Sequence, residues 1–283
     1  MNNFYDEYKK RIGEIDEYMH SCLDKFSDCE DELFDAMNYA VFNGGKRLRS
    51  ILCMEICRML TGQCEKALPF ASAIEFIHAF SLVHDDLPCM DNADLRRGQP
   101  SCHKKYGEAM ALLAGDALLN TAFEVMTDAC EDMNPDSIKA MKAVGKAAGS
   151  HGMINGQVRD MAIMGKTSVS EETLIRLIEH KTMALIMSGV EAGCFVASSS
   201  EDTRKELVEF AYNLGVAFQI RDDFEDEEED MEAFQNSPNF INSLGRETAR
   251  ERMNEYVAKA VQIIDKYENN QFIKGLLGYL FDK

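Results

Sequence analysis

The chain has 283 residues, 46% of them hydrophobic, and a formal net charge of −19 from 49 acidic and 30 basic side chains. So acidic a surface repels nucleic acid and anionic headgroups within a Debye length, so neither is an expected partner, and a small anionic substrate needs a local basic pocket. The 9 cysteines show no metal-ligand spacing and, with no signal peptide in view, read as reduced thiols of a cytoplasmic protein; no apolar run is expected to span a bilayer.

Apolar residues recur at helical spacing almost throughout, only 5 prolines occur, and no strand-like alternation stands out, which predicts an all-α chain. The predicted helices begin with Asn3–Lys25 and Glu30–Phe42, the second closed by the turn signal Asn43-Gly44-Gly45. Ser50–Leu60 follows, stopped at Gly62, and then a long apolar helix from Ala67 to Asp86 that Pro88 must interrupt. Tyr106–Asp128, Asp136–Gly149, Glu171–Ser198, Asp202–Phe234, Glu247–Tyr267 and a short Phe272–Phe281 complete the set. No Pro/Gly/Ser-rich linker divides the chain, so residues 1–283 are expected to form one domain, a single large helical bundle.

Two aspartate clusters carry the chemistry. The first runs His84-Asp85-Asp86-Leu87-Pro88-Cys89-Met90-Asp91. On an unbroken helix Asp85 and Asp91 point to different sides, but a helix ending just after Asp86 lets the next turn fold Asp91 back towards Asp85. The second runs Gln219-Ile220-Arg221-Asp222-Asp223-Phe224-Glu225-Asp226, in which Asp222 and Asp226 share a helical face with Cβ atoms roughly 5–6 Å apart. Like charges that close repel unless a cation joins them. Mg²⁺ suits such a place, because it takes oxygen ligands, keeps waters and is completed by substrate phosphates.

Cations stand nearby. Lys46, Arg47 and Arg49 follow the Gly44-Gly45 turn at an expected helix start, and Arg96-Arg97 follows the first cluster, both suited to phosphate oxygens.

Taken together, these stretches make the sequence resemble the trans-isoprenyl diphosphate synthases, of the bacterial farnesyl/geranylgeranyl type. The blocks that carry the resemblance are GGKRLRS at 44–50, HAFSLVHDDLPCMDNADLRRGQPSCH at 78–103, LLAGDALL at 112–119, GMINGQ at 152–157, EHKT at 179–182 and FQIRDDFED at 218–226. The resemblance implies the isoprenoid synthase fold with a central cavity, a homodimer and three Mg²⁺ per site. It implies Asp85, Asp91 and Asp222 as principal metal ligands, supported by Asp86, Asp223 and Asp226. Lys46, Arg49, His78 and Arg97 would bind isopentenyl diphosphate, and Arg96 and Lys181 the allylic diphosphate. Thr182 and Gln219 would line the reacting centre. Phe80, five residues before Asp85, would obstruct chain growth and favour the fifteen-carbon farnesyl product, with Ser81 beside it leaving room for a twenty-carbon one. His84 and His103 are read as structural.

One region departs from the family pattern. No Lys or Arg occurs between Arg221 and Arg246, where the family carries lysines that close over the allylic diphosphate, and Glu227–Asp230 adds four acidic residues. Losing one such contact costs a few kcal/mol, roughly two orders of magnitude in rate. The alternative reading is therefore a weakly active or non-catalytic partner subunit of another prenyl synthase. A class I terpene cyclase also uses an aspartate cluster, but has no isopentenyl diphosphate for GGKRLRS to bind.

Overall fold

The structure, a computed structural model, describes residues 2–163, 165–229 and 238–281. Its helices are α1 (Asn2–Leu23), α2 (Asp31–Phe42), α3 (Leu48–Thr61), α4 (Leu68–Asp85), α5 (Cys102–Tyr106), α6 (Glu108–Asp128) and α7 (Pro135–Ala148). They continue with α8 (Met153–Ile163), α9 (Glu171–Ile178), α10 (Ala184–Val196), α11 (Glu201–Glu229), α12 (Phe240–Leu244), α13 (Arg246–Ile264) and α14 (Gln271–Phe281). Strand among the described residues is confined to a hairpin, β1 (Leu95–Arg96) against β2 (Gln99–Pro100), with Leu95 opposite Pro100 and Arg96 opposite Gln99. The all-α expectation holds, and these helices pack around a cavity.

Local chemistry explains where several elements stop. The left-handed Gly62 (φ 82°) closes α3 by donating to the Arg58 carbonyl. Asn134 caps α7 through the Asp136 amide, with Pro135 at the first helical position. The expected helix over 171–198 is instead two helices joined by a π-helical turn, Glu179–Met183. Three short elements escaped the sequence reading: α5, α8 and α12. The expected end at Phe234 lies outside the described residues.

α4 is the central post. Phe70, Ile74, Phe76 and Ile77 are buried on it, and it packs against α2, α3 and α6. A second apolar cluster joins α1, α3, α10, α11, α13 and α14 around Ile51, Leu52, Phe210 and Leu276, and a third seats α9, α11, α12 and α13 around Leu174, Val216 and Phe240. Contrary to the sequence expectation, two segments, Glu65–Asp85 and Glu108–Asp128, are long and apolar enough to cross a membrane. In the fold 67% of the first segment's apolar window and 44% of the second's is buried inside the protein, α4 as its core and α6 with one face open.

The α3–α10 crossing is close enough that side chains are excluded from it. A Cβ added to Gly193 would lie 2.5 Å from the Cys53 carbonyl oxygen and 3.3 Å from Ile56 Cβ. Gly193→Ala must push backbone apart and is expected to cost about 1–3 kcal/mol in urea unfolding. An unchanged midpoint and slope would show that the crossing yields freely.

Candidate active site

The buried helix α4 ends at Asp85, as the proline three residues on requires, and the chain turns so that the Asp91 amide donates to the Asp85 carbonyl at 2.9 Å. The fold-back expected from Pro88 is therefore present. The second cluster lies within α11, with Asp222 and Asp226 one turn apart on one face.

Two cavities open between these clusters. The larger, about 1080 Å³, is lined by Lys46, Arg49, His78, Arg97, Thr182, Gln219 and Asp222 among others. The second, about 460 Å³, has Asp85 and Lys181 in its wall and is otherwise largely apolar, with Phe80, Leu87, Leu112, Met153 and Leu185. Arg49, His78 and Thr182 line both, so the cavities meet there. The smaller volume falls in the range of small-molecule sites, and the larger lies just above it.

The cationic wall is built at the α2–α3 turn. Arg47, left-handed at φ 49°, spends its guanidinium on the fold: it donates to Asp16 at 2.9 Å, to Glu75 at 3.4 Å and to the Val41 carbonyl at 2.8 Å. That anchorage fixes the turn and leaves Lys46 and Arg49 to the cavity. Lys46 lies 3.5 Å from Glu225 across it. Arg49 Nη1 donates to His78 Nε2 at 3.4 Å, and its Nε is buried without a partner. Burial, and then Arg49 beside it, pushes the His78 pKa well below the usual imidazole value, so this ring is a neutral acceptor at Nε2. Arg97, also left-handed at φ 54°, donates from Nη1 to the Gly44 carbonyl and ties the turn to the hairpin.

Within each aspartate pair the two carboxylates have different surroundings. Asp86 is 2% exposed and is held by Arg96, whose Nε donates to its two oxygens at 3.1 and 3.2 Å. Asp223, 6% exposed, accepts from the Phe240 amide at 2.8 Å and from Gln219 Nε2 at 3.3 Å. Thr182 Oγ1 in turn donates to Gln219 Oε1 at 3.2 Å. Thr182, Gln219, Asp223 and Phe240 thus form one chain that fixes the Gln219 amide orientation and joins the cavity to α12. Asp85 and Asp222 line the cavities instead.

Burial pushes the Asp85 carboxyl up to about 6; nearby Lys181 works against that and Asp91 adds to it. Burial likewise raises Asp222, against the pull of Arg221, which donates to it at 2.5 Å, and takes Asp223 to about 7. For Asp85 and Asp222, burial outweighs the cations beside them. Among the described residues no three His, Cys, Asp or Glu side chains gather into a metal cage. The carboxylate oxygens of the two clusters fit a hard cation completed by ligand oxygens, and Mg²⁺ is such an ion.

Lys181 and Thr182 sit on the π-helical turn, a device that re-aims side chains and recurs at functional sites. The unpredicted α8 packs on this turn: a Cβ on Gly156 would lie 2.2 Å from the Lys181 amide nitrogen, and Asp160 pairs with Lys181 Nζ. α8 also sends Gln157 into the smaller cavity. The GMINGQ block was the available signal for these residues. Downstream, Ser237 lies outside the described residues, and Asn239 caps α12 by accepting from the Asn242 amide at 2.7 Å.

The chain matches the family model for polyprenyl synthetase over residues 30–238. It is 46% identical over 197 residues to a farnesyl diphosphate synthase of Geobacillus stearothermophilus, covering 69% of this chain and 66% of that one. It is 44% identical over 195 residues to a chloroplastic geranylgeranyl pyrophosphate synthase of Capsicum annuum, covering 69% and 53%. The matches thus span about half to two-thirds of these curated relatives. Among solved structures, an FPP/GFPP synthase from Zymomonas mobilis superposes with a TM-score of 0.88 at 34% identity, covering 98% of each chain. A geranyltransferase from Legionella pneumophila gives 0.89 at 27%, covering 99% of this chain and 97% of that one.

The raised carboxylates make a stability prediction. A carboxyl whose folded pKa lies above its unfolded value holds more protons when folded, so its contribution falls as pH rises through that window, here from about 4 to about 6 for Asp85. His78, pushed down, acts in the opposite sense, so variants are compared at fixed pH. Without divalent cation, Asp85→Asn is expected to raise the unfolding midpoint at pH 7.5 by about 2–4 °C, a gain that shrinks towards pH 4. A midpoint lowered at pH 7.5 would contradict the charge frustration.

Proposed function

Because the chain belongs to the polyprenyl synthetase family, we propose that it is a short-chain prenyltransferase. It joins isopentenyl diphosphate to dimethylallyl or geranyl diphosphate and yields farnesyl diphosphate, with geranylgeranyl diphosphate as the longer limit. The observation that carries this reading is the pair of cavities, one cationic and one apolar, meeting at Arg49, His78 and Thr182.

The isopentenyl diphosphate head belongs in the larger cavity, against Lys46, Arg49, His78 and Arg97. Neutral His78 leaves the Arg49 charge undivided for the anion, and the unpartnered Arg49 Nε supplies one more donor. The allylic tail belongs in the smaller cavity, where Leu87, Leu112, Met153 and Leu185 exclude water from a developing carbocation. Its diphosphate lies at the mouth with Arg96 and Lys181. Asp85, Asp91, Asp222 and Asp226 would hold Mg²⁺, three ions per site, with Asp86 fixed beside them by Arg96 and Asp223 by Gln219 and the Phe240 amide. Bound there, the metal supplies Lewis-acid neutralisation of the leaving diphosphate. The Thr182 hydroxyl oxygen, where the cavities join, and the Gln219 carbonyl oxygen in the larger cavity present partial negative charge towards the place for allylic positive charge. Phe80, 8% exposed, stands in the smaller cavity's wall and limits the chain.

A homodimer and a cytoplasmic location belong to the same reading. What supports the dimer is exposed apolar surface beside the smaller cavity, Leu113 on α6 and Val158 and Met161 on α8. What supports the location is that all nine cysteines are unpaired.

The test is incubation of purified protein with Mg²⁺, isopentenyl diphosphate and dimethylallyl, geranyl or farnesyl diphosphate, with mass analysis of products. A farnesyl product that Asp85→Ala reduces at least about a hundredfold, and that Phe80→Ala lengthens, is the expected result. Folded protein that makes no product from any starter would overturn the proposal in favour of a partner subunit.

A further inference from the structure

Phe80 does not stand alone in the cavity wall. His84, one helical turn on, meets its ring edge to face, with centroids 5.3 Å apart and planes at 88°. His84 is tied in turn to α6. Its Nε2 lies 3.0 Å from the Leu112 carbonyl oxygen, and a carbonyl only accepts, so Nε2 carries the proton and donates. α6 admits the imidazole only because residue 115 has no side chain: a Cβ on Gly115 would lie 2.2 Å from His84 Nε2 and 2.4 Å from Cδ2. Phe80, His84 and Leu112 all line the 460 Å³ cavity, whereas Gly115 does not.

An aromatic at the end of a single χ1–χ2 pair can swing out of a cavity unless something fixes it. Here a fixed tautomer, a backbone acceptor and a notch in the neighbouring helix all hold the ring that abuts Phe80. We propose that His84 is the positioning residue for Phe80, so that the length of prenyl chain the cavity accepts is set by the unit Leu112–His84–Phe80 with its Gly115 notch, not by Phe80 alone. The inference rests on the prenyltransferase reading above and deepens it.

The test measures, by calorimetry with Mg²⁺, the affinities of farnesyl and geranylgeranyl diphosphate for the wild type, His84→Ala, Gly115→Ala and the double variant. Wild type is expected to prefer the shorter chain. His84→Ala frees Phe80 and moves the ratio about tenfold towards the longer one. Gly115→Ala, which touches no ligand, displaces the imidazole and moves it the same way. In the His84→Ala background Gly115→Ala adds nothing further, because the ring it strikes is gone. Thermal midpoints separate misfolding from repositioning, and His84→Ala alone carries the test if Gly115→Ala does not fold. A wild-type ratio kept in folded His84→Ala, with only overall affinity lowered, would overturn the inference while leaving the prenyltransferase reading intact. Wild type that binds neither chain would sink that reading and the inference with it.

Discussion

Carboxylates gathered at the ends of buried helices are the constraint from which the site follows. Desolvation alone penalises each charge, and the neighbouring carboxylates add repulsion. The fold meets part of this cost with its own groups. Asp86 takes the Arg96 fork, and Asp223 takes the Phe240 amide and the Gln219 side chain. What remains uncompensated is Asp85, pushed up to about 6 with Asp91 folded back against it, and in part Asp223, which burial still takes to about 7. Asp86 and Asp223 are anchored by these partners, and Asp85 and Asp222 face the cavities. A cation supplied from outside would relieve the desolvation penalty on these carboxylates.

The cationic side is arranged by the same division. Arg47 is buried among Asp16, Glu75 and the Val41 carbonyl and serves the turn, which is what lets Lys46 and Arg49 serve the cavity. Across the cavity, the π-helical turn presents Lys181 and Thr182 side by side, with α8 pressed against its backbone and Asp160 holding the lysine. Lys46 reaches towards Glu225 on α11. The opposed charges that a bound diphosphate and metal would join already face one another.

How much of this could be read from the chain depends on how local each cause is. Pro88 is a local cause, and it gave both the end of α4 and the return of Asp91. Asp222 and Asp226 needed only the helical repeat. The long apolar helices were equally legible, though their apolarity led the reading to miss that α4 and α6 have the length of membrane spans, since burial, not hydropathy, tells a core post from a span. What stayed hidden depends on neighbours far along the chain. Arg47 looks in sequence like Lys46 and Arg49, and only Asp16 and Glu75 distinguish it. The α8 helix is short and interrupted by glycine and asparagine, which weakens its periodicity, and Gly156 matters only because Lys181 packs on it. The π turn breaks no pattern in Glu171–Ser198, and the chain from Thr182 through Gln219 and Asp223 to Phe240 spans three separate elements.

If the two aspartate clusters hold Mg²⁺ as proposed, they form a cation site only when an anion completes it. Titrating Mn²⁺ into the protein with and without inorganic diphosphate, and counting bound ions by electron paramagnetic resonance, tests it most directly. The account predicts weak binding of the metal alone and tight binding of more than one ion once diphosphate is present, both lost in Asp85→Ala/Asp222→Ala. Tight Mn²⁺ binding without diphosphate, or affinity that diphosphate leaves unchanged, would contradict it.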